Sequence, residues 1–482
     1  MNFRVVIHLI SFLVMLLAGV MAIVAGVSFV MHDDSTVWQG MLLSAAITLL
    51  TSILMWITTR TKVELARREG IGIVVFGWLV AVLLGAIPFL LTGAMSNPVD
   101  AFFESCSGFT TTGASVMSNL ENHSRAILLW RACSHFLGGM GILVLVVAII
   151  PYLGVGGMNI YRAEVTGPSK DRLTPRIAST AKFLYAVYVL LNVLLILLLK
   201  VGGMDWFDAV CHAFATISTG GFSTRSASIA AFDSVYIESV ITIFMLFAGI
   251  NFALHFRALR GEPACYFRDS ECRFYLGFWL VALLFIGGDL FITAGLSLAE
   301  AIRHAAFLTT SILTTTGFGT VDYELWPTLS KLVLLFLFVC GGCAGSTAGA
   351  LKQIRILLLA KKMTRIIKVF LKPQAVYTVK LSGQIVAQDI VFNVAVFFFI
   401  YVGTLAAGSI MMSFFCHDLA TAVSAAFSAV GNIGPGFGAV GPTLNYVAMP
   451  DLAKLILSGL MMAGRLEFYT VLVVLLPNFW RK

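Results

Sequence analysis

Ala101-Phe-Phe-Glu-Ser-Cys-Ser-Gly-Phe-Thr-Thr-Thr-Gly113-Ala-Ser is a short apolar run that ends in hydroxyls and a glycine. The pattern returns at Asp208-Ala-Val-Cys-His-Ala-Phe-Ala-Thr-Ile-Ser-Thr-Gly220-Gly-Phe-Ser, and again at Ala305-Ala-Phe-Leu-Thr-Thr-Ser-Ile-Leu-Thr-Thr-Thr-Gly317-Phe-Gly-Thr. A fourth copy reads Ala422-Val-Ser-Ala-Ala-Phe-Ser-Ala-Val-Gly-Asn-Ile-Gly434-Pro-Gly-Phe. Each run is long enough for three helical turns. A bilayer crossing needs about 20 residues, so each fits a half-membrane helix that turns back at its glycine. Four copies at intervals of about 100 residues make an internal repeat. One Thr-Thr-Gly alone would be weak, and glycines that merely pack helices together have no reason to follow a half-length helix each time.

The sequence around these runs is membrane-like. Of 482 residues, 59% are hydrophobic and 12% charged, about half the usual charged share of soluble domains. Mean hydropathy is +0.94. Ten long apolar runs can be marked, at about 5–31, 38–58, 71–93, 126–151, 180–200, 235–256, 274–294, 327–360, 388–413 and 453–476. The first has no small-residue cleavage site and reads as a retained helix.

The formal net charge of +8 does not point to nucleic acid, because basic residues collect in the cytoplasmic loops of membrane proteins. With the N-terminus inside, the inner loops receive Arg60, Lys62, Arg67 and Arg68, then Arg162, Lys170, Arg172, Arg176 and Lys182, then Arg257, Arg260, Arg268 and Arg273. The run from Lys352 to Lys380 falls inside as well, with Arg4, Arg481 and Lys482. This bias predicts ten crossings with both termini cytoplasmic and all four glycine segments on the outer side.

Non-helical backbone at membrane depth is tolerated only where it is buried in protein or lines a wet cavity. Four symmetric glycine loops meeting on one axis meet that condition. Glycine lets carbonyls turn inward, and carbonyl rings can replace a cation's hydration shell. The negative ends of the four short helices would face the centre and favour cations. The candidate filter residues are Thr111, Thr112, Gly113 and Ala114; Ser218, Thr219, Gly220 and Gly221; Thr315, Thr316, Gly317 and Phe318; and Asn432, Ile433, Gly434 and Pro435.

Two further elements suggest a gate. Gly341-Gly-Cys-Ala-Gly-Ser-Thr-Ala-Gly349 interrupts the eighth run, and so many glycines are poor helix material. Gly341, Gly342, Gly345, Ser346, Thr347 and Gly349 are its candidate gating residues. Arg465 lies inside the tenth run, where an arginine costs about 2.5–3.5 kcal/mol on insertion scales. It is expected to project beneath the filter, raise the barrier for cations and bond to the 341–350 loop. Glu467 points to another helix face.

The chain resembles the Trk/Ktr/HKT superfamily of potassium transporters, most closely the Trk-type bacterial uptake membrane subunit. The marks are the four filter glycines, Trp130-Arg131 followed by Gly138-Gly-Met-Gly141, the 341–349 run, and Gly464-Arg465-Leu-Glu-Phe. The resemblance covers essentially the whole chain. It implies an all-α membrane protein with a pseudo-fourfold repeat of helix–pore loop–helix units around a central pore, plus two extra N-terminal transmembrane helices. It also implies potassium permeation with potassium ion at the filter residues, a homodimer, a cytosolic RCK-type nucleotide-binding regulatory subunit, and membrane lipids as surroundings. In the superfamily, glycine in all four segments goes with potassium, and serine at the first goes with sodium in some plant members. The fourth segment here departs from the Thr-x-Gly pattern. The resulting division is 1–69 for the extra helices, then repeats at 70–176, 177–270, 271–385 and 386–482, in a bacterial inner membrane.

An ion-coupled carrier working by alternating access is the alternative, but carriers usually show two-fold repeats. No enzyme is expected: Ala344-Gly-Ser346-Thr-Ala348 lacks the nucleophile-elbow pattern. No organic cofactor is expected either. Cys340-Gly-Gly-Cys343 sits in an apolar run and reads as small hydrophobes. No histidine pair has zinc spacing, and the eight scattered histidines, His8, His32, His123, His135, His212, His255, His304 and His417, read as interfacial or packed residues. Glu104, Asp205, Asp208, Asp289, Glu300 and Asp322 read as outer-mouth charges or ordinary caps.

Overall fold

The four short runs fold as helices Pro98–Phe109, Trp206–Ile217, Leu298–Leu313 and Leu419–Gly431, of 12, 12, 16 and 13 residues. Three begin on side-chain caps. Asn97 accepts from the Val99 N–H with Pro98 at the first helical position, Ser297 and Glu300 form a capping box, and Asp418 accepts from the Thr421 N–H at 2.7 Å. Such caps satisfy amides that the first turn leaves open. The structure, a computed structural model, describes residues 1–59, 67–141, 177–375 and 377–480. Arg60, Lys62, Arg162, Lys170, Arg172, Arg176, Arg481 and Lys482, and the 142–151 end of the fourth apolar run, lie outside the described residues.

The chain is an all-α membrane protein. A long outer helix precedes each short helix: Arg67–Gly85 continued by Ile87–Leu91, then Ile177–Val201, Ser270–Ile292 and Gln388–Ser413. These helices carry exposed apolar residues, such as Leu280, Val281, Leu284 and Phe285 on the third, as lipid-facing surfaces do. Two more helices, Phe3–Val30 and Ser35–Thr58, precede the first repeat. The first buries Val6, Ile10, Leu13, Leu17, Met21 and Val24, a stripe of helical period. Ser52 Oγ donates to Ser11 O at 2.8 Å and ties the pair together. The rings of Phe3 and Trp480 stack at 5.9 Å, and the Asn2 N–H donates to Glu69. The N-terminal helix and the end of the described chain therefore pack against each other. A two-stranded hairpin pairs Lys380–Leu381 with Gln384–Ile385.

The second helix of each repeat is interrupted; the sequence shows this for the eighth run at 341–349, whereas the sixth and tenth runs read as continuous. In repeat two, Val235–Ala248 and Phe252–Leu259 meet at a bend of 102°. In repeat four, Asp451–Arg465 and Phe468–Leu475 meet at 113°. In repeat three, helix Thr328–Leu337 stops and helix Gln353–Leu371 resumes beyond an irregular segment. In repeat one, helix Arg125–Gly139 stops at Gly138-Gly139. Among the described residues there are thus six long apolar helices plus two bent pairs. The bends are possible because neighbouring backbone takes up the freed carbonyls: Gly249 O accepts from the Cys343 N–H at 2.8 Å, and Ala248 O accepts from the Thr347 N–H.

Candidate functional site: a ring of four loops over an intramembrane strap

Each short helix ends on a residue in the left-handed region: Thr111 (φ 54°), Thr219 (55°), Thr315 (57°) and Asn432 (54°). The N–H of the next residue then reaches back five positions, from Thr112 to Ser107 O, Gly220 to Ala215 O, Thr316 to Ser311 O and Ile433 to Ser428 O, at 2.8–3.0 Å. This is the Schellman way of ending a helix, normally built on glycine. A β-branched threonine in that conformation is strained, and strain of this kind costs about 1–3 kcal/mol and gathers at functional sites.

This shared geometry corrects one register. The third position, a glycine at positive φ, is Gly113, Gly221, Gly317 and Gly434. In the second loop the equivalent triplet is Thr219-Gly220-Gly221, one residue later than Ser218-Thr219-Gly220. Ser218 caps the end of its helix instead.

The four loops close on one another in sequence order. A Cβ built on Gly113 would collide with the carbonyl oxygen of Gly220. One on Gly221 would collide with that of Thr316, and one on Gly317 with that of Ile433. One on Gly434 would stand 2.8 Å from that of Thr112 and so completes the circle. Each third-position glycine therefore lies against the second-position carbonyl of the next loop. All four loops meet at one level, and the C-terminal ends of four short helices converge there, an arrangement that favours cations. Asn432 Nδ2 donates to Thr112 Oγ1 and Met461 O, so the divergent fourth loop is joined to the first.

Behind the ring stand groups whose role sequence reasoning missed. Glu104 and Arg131 form a fully buried ion pair at 2.8 Å. Glu104 also accepts from Ser115 Oγ and the Val116 N–H, and Arg131 donates to Ser223 O. The pair thus holds loops one and two from behind, and Glu104 is no outer-mouth charge. Asp208 likewise turns inward to Thr224 and Arg225, whereas Glu300 and Asp322 are caps, as their plain reading has it. Trp130-Arg131 was visible as a motif, but its partner Glu104 is 27 residues away across a loop. Replacing Arg131 by methionine leaves the Glu104 carboxylate buried without its cation. Breaking such a pair costs about 3–5 kcal/mol. The purified variant should melt at a clearly lower temperature than the parent, and equal melting would contradict this role.

Beneath the ring, residues 341–350 form an irregular strap. Cys340 bridges Leu351, where the strap begins and ends. Its far end reaches repeat two: Thr347 Oγ1 donates to Ile217 O at 3.0 Å, and the Phe252 N–H donates to Gly345 O. It touches the ring itself where the Gly349 N–H donates to Thr315 Oγ1 at 2.6 Å and the Ala350 N–H donates to Gly431 O. Glu271 Oε1 accepts from both the Ala344 amide within the strap and the Ile354 amide of the helix that follows, and so ties the two together.

Arg465 closes the arrangement. Nη1 donates to Thr347 O at 2.9 Å, and Nη2 donates to Gly138 O and Gly139 O at 2.6 and 3.0 Å. The guanidinium therefore joins repeat four, the strap of repeat three and the broken helix end of repeat one. Glu467 stands not on another helix face but in the bend between the two helices, at φ 57°, and makes a two-oxygen contact with Arg355 at 2.7 and 2.8 Å. Gly341 and Gly342 accept from Gln353 through their carbonyls, and Ser346 Oγ bonds back to Cys343 O. Cys340 and Cys343 are free and buried, and no cluster of His, Cys, Asp or Glu suited to a bound metal occurs among the described residues.

A multi-pass helical protein whose four repeats converge their loops on one axis, over a strap and an arginine, has the form of a membrane cation conductor. The chain belongs to the TrkH family, described as cation transport protein, which it matches over residues 38–482. It is 41% identical over 488 residues to the Trk system potassium uptake protein TrkH of Escherichia coli K12, and 40% identical over 494 residues to that of Halomonas elongata. Both alignments cover 100% of each chain. The crystal structure of the potassium transporter TrkH from Vibrio parahaemolyticus superposes with a TM-score of 0.89 at 36% identity, again covering 100% of both chains.

Proposed function

We propose that the chain takes up potassium ions through the ring of loops and that the strap and Arg465 gate it from below. The observation that carries this is the closed circle in which Gly113, Gly221, Gly317 and Gly434 each abut the next loop's carbonyl. Carbonyl oxygens gathered on one axis can stand in for the water around a bare cation, and no charged side chain is needed. The names of the relatives, potassium uptake proteins over their full lengths, support the choice of ion.

The gate reading is supported by the bonds that Arg465 and Gly349 make under the ring. A cation leaving the ring meets a guanidinium, so passage requires the strap and Arg465 to move aside together. Shortening the strap within 341–350 is expected to raise potassium flux or loosen its regulation in reconstituted vesicles. Loss of all uptake from a folded variant would remove the gating role.

Within the same proposal the protein sits in a bacterial inner membrane with both ends cytoplasmic, because the basic loops lie on that side. It pairs as a homodimer and answers to a cytosolic nucleotide-binding subunit, for which the basic helix Gln353–Leu371 offers contact charge. The test of the function is growth of a potassium-uptake-deficient bacterium at low external potassium. The intact chain should restore growth, and a folded, membrane-resident chain that does not would overturn the reading.

A further inference from the structure

We propose that His135 is a positioning residue for the second filter loop, its ring standing in for the side chain that position 220 lacks. The inference rests on the reading of the four-loop ring as a cation filter. At the second position of the triplet the other loops carry Thr112, Thr316 and Ile433. The two threonines are fixed by hydroxyl pairs, Thr110 with Thr112 at 2.7 Å and Thr314 with Thr316 at 2.8 Å. Gly220 keeps its amide bond to Ala215 O at 2.8 Å but has no side chain to form such a pair. A Cβ on Gly220 would instead stand 2.5 Å from the His135 ring, so the imidazole fills that space.

His135 reaches this place from the inner helix of repeat one, Arg125–Gly139, and is fully buried. Its Nδ1 faces Gly108 O at 2.8 Å, and its Nε2 faces the Phe222 N–H at 3.1 Å. A carbonyl can only accept and an amide N–H can only donate. The ring is therefore neutral, with its proton on Nδ1, and it joins the short helix of repeat one to the loop of repeat two. One turn earlier on the same helix, the Arg131 guanidinium lies 3.9 Å from the Phe222 ring centroid. The His135 and Phe222 rings stack at 4.1 Å with 21° between planes. From the far side, His212 bonds Ser223 Oγ at 2.9 Å. The second loop is thus held by its neighbour where the others are held by their own hydroxyls or apolar side chains.

Removing the acceptor and the ring leaves the Phe222 amide buried without a partner and lets Gly220, whose carbonyl abuts Gly113, relax. A carbonyl that can move fits a smaller cation as well as a larger one, so the loss should appear in discrimination. The test is the potassium-to-sodium permeability ratio of the full-length chain in vesicles, measured for His135→Leu and His135→Gln beside Gly113→Ser. His135→Leu is expected to lower the ratio about tenfold, the scale of one lost buried hydrogen bond. His135→Gln, which brings an amide oxygen toward Phe222 but no ring against Gly220, should lose less. A parental ratio in whichever His135 variant folds overturns the proposal, provided Gly113→Ser shifts it. If Gly113→Ser also leaves the ratio unchanged, the filter reading itself has failed.

Discussion

Gly113→Ser is expected to abolish rescue of a potassium-uptake-deficient bacterium at low external potassium and to lower potassium-over-sodium selectivity by about one to two orders of magnitude. Two costs act together. Gly113 has φ 81°, where an L-residue is strained by about 1–2 kcal/mol. The new Cβ also collides with the carbonyl oxygen of Gly220, and forced overpacking costs about 1–3 kcal/mol. The strain is relieved most cheaply by moving that oxygen, which belongs to the ring. At about 1.4 kcal/mol per decade, a change of this size is large. Flux ratios in vesicles are the readout. An unchanged ratio in a folded protein would mean that the Gly113–Gly220 contact lies away from the ion's path.

Arg465→Ala is expected to raise potassium flux by about one to two orders of magnitude. A unit charge roughly 7 Å from a passing cation, at an effective dielectric constant of about 20, opposes it by ~2.4 kcal/mol. The substitution also removes the bonds that join Thr347 O to Gly138 O and Gly139 O, so the strap is released as the charge is lost. Arg465→Lys keeps the charge but not the fork of donors, and separates the two effects: lysine should leave most of the electrostatic barrier while loosening the strap. Flux equal to the parent's in Arg465→Ala, at matched protein density, would remove the arginine from the gate.

The repeat was legible because its signal is local. Three turns of apolar helix followed by hydroxyls and glycine can be read without knowing what packs around them, and the pattern occurs four times. The register of the second loop was not. Ser218-Thr219-Gly220 and Thr219-Gly220-Gly221 look equally like Thr111-Thr112-Gly113, and only the left-handed residue at 219 and the amide bond from Gly220 to Ala215 decide between them. The bends in the inner helices were hidden because hydropathy runs on through them. Gly249-Ile250-Asn251 carried the signal: Asn251 caps the following helix at the Ala253 N–H, yet an asparagine amid apolar residues is easily taken for a packed polar group. Arg465 showed in sequence because a charge in an apolar run has few explanations. Its ligands did not show, because they are main-chain carbonyls more than 100 residues away. Glu104, His135 and His212 were hidden for the same reason, since each satisfies a partner in another repeat or beyond a loop.

The whole account turns on where a cation rests. Crystals grown or soaked with thallium(I), a potassium mimic that scatters anomalously, locate it directly. The expected result is an anomalous peak on the axis of the four loops, ringed by the oxygens of Thr112, Gly220, Thr316 and Ile433. A structure that holds thallium elsewhere in the membrane region, with no peak among those oxygens, would contradict it.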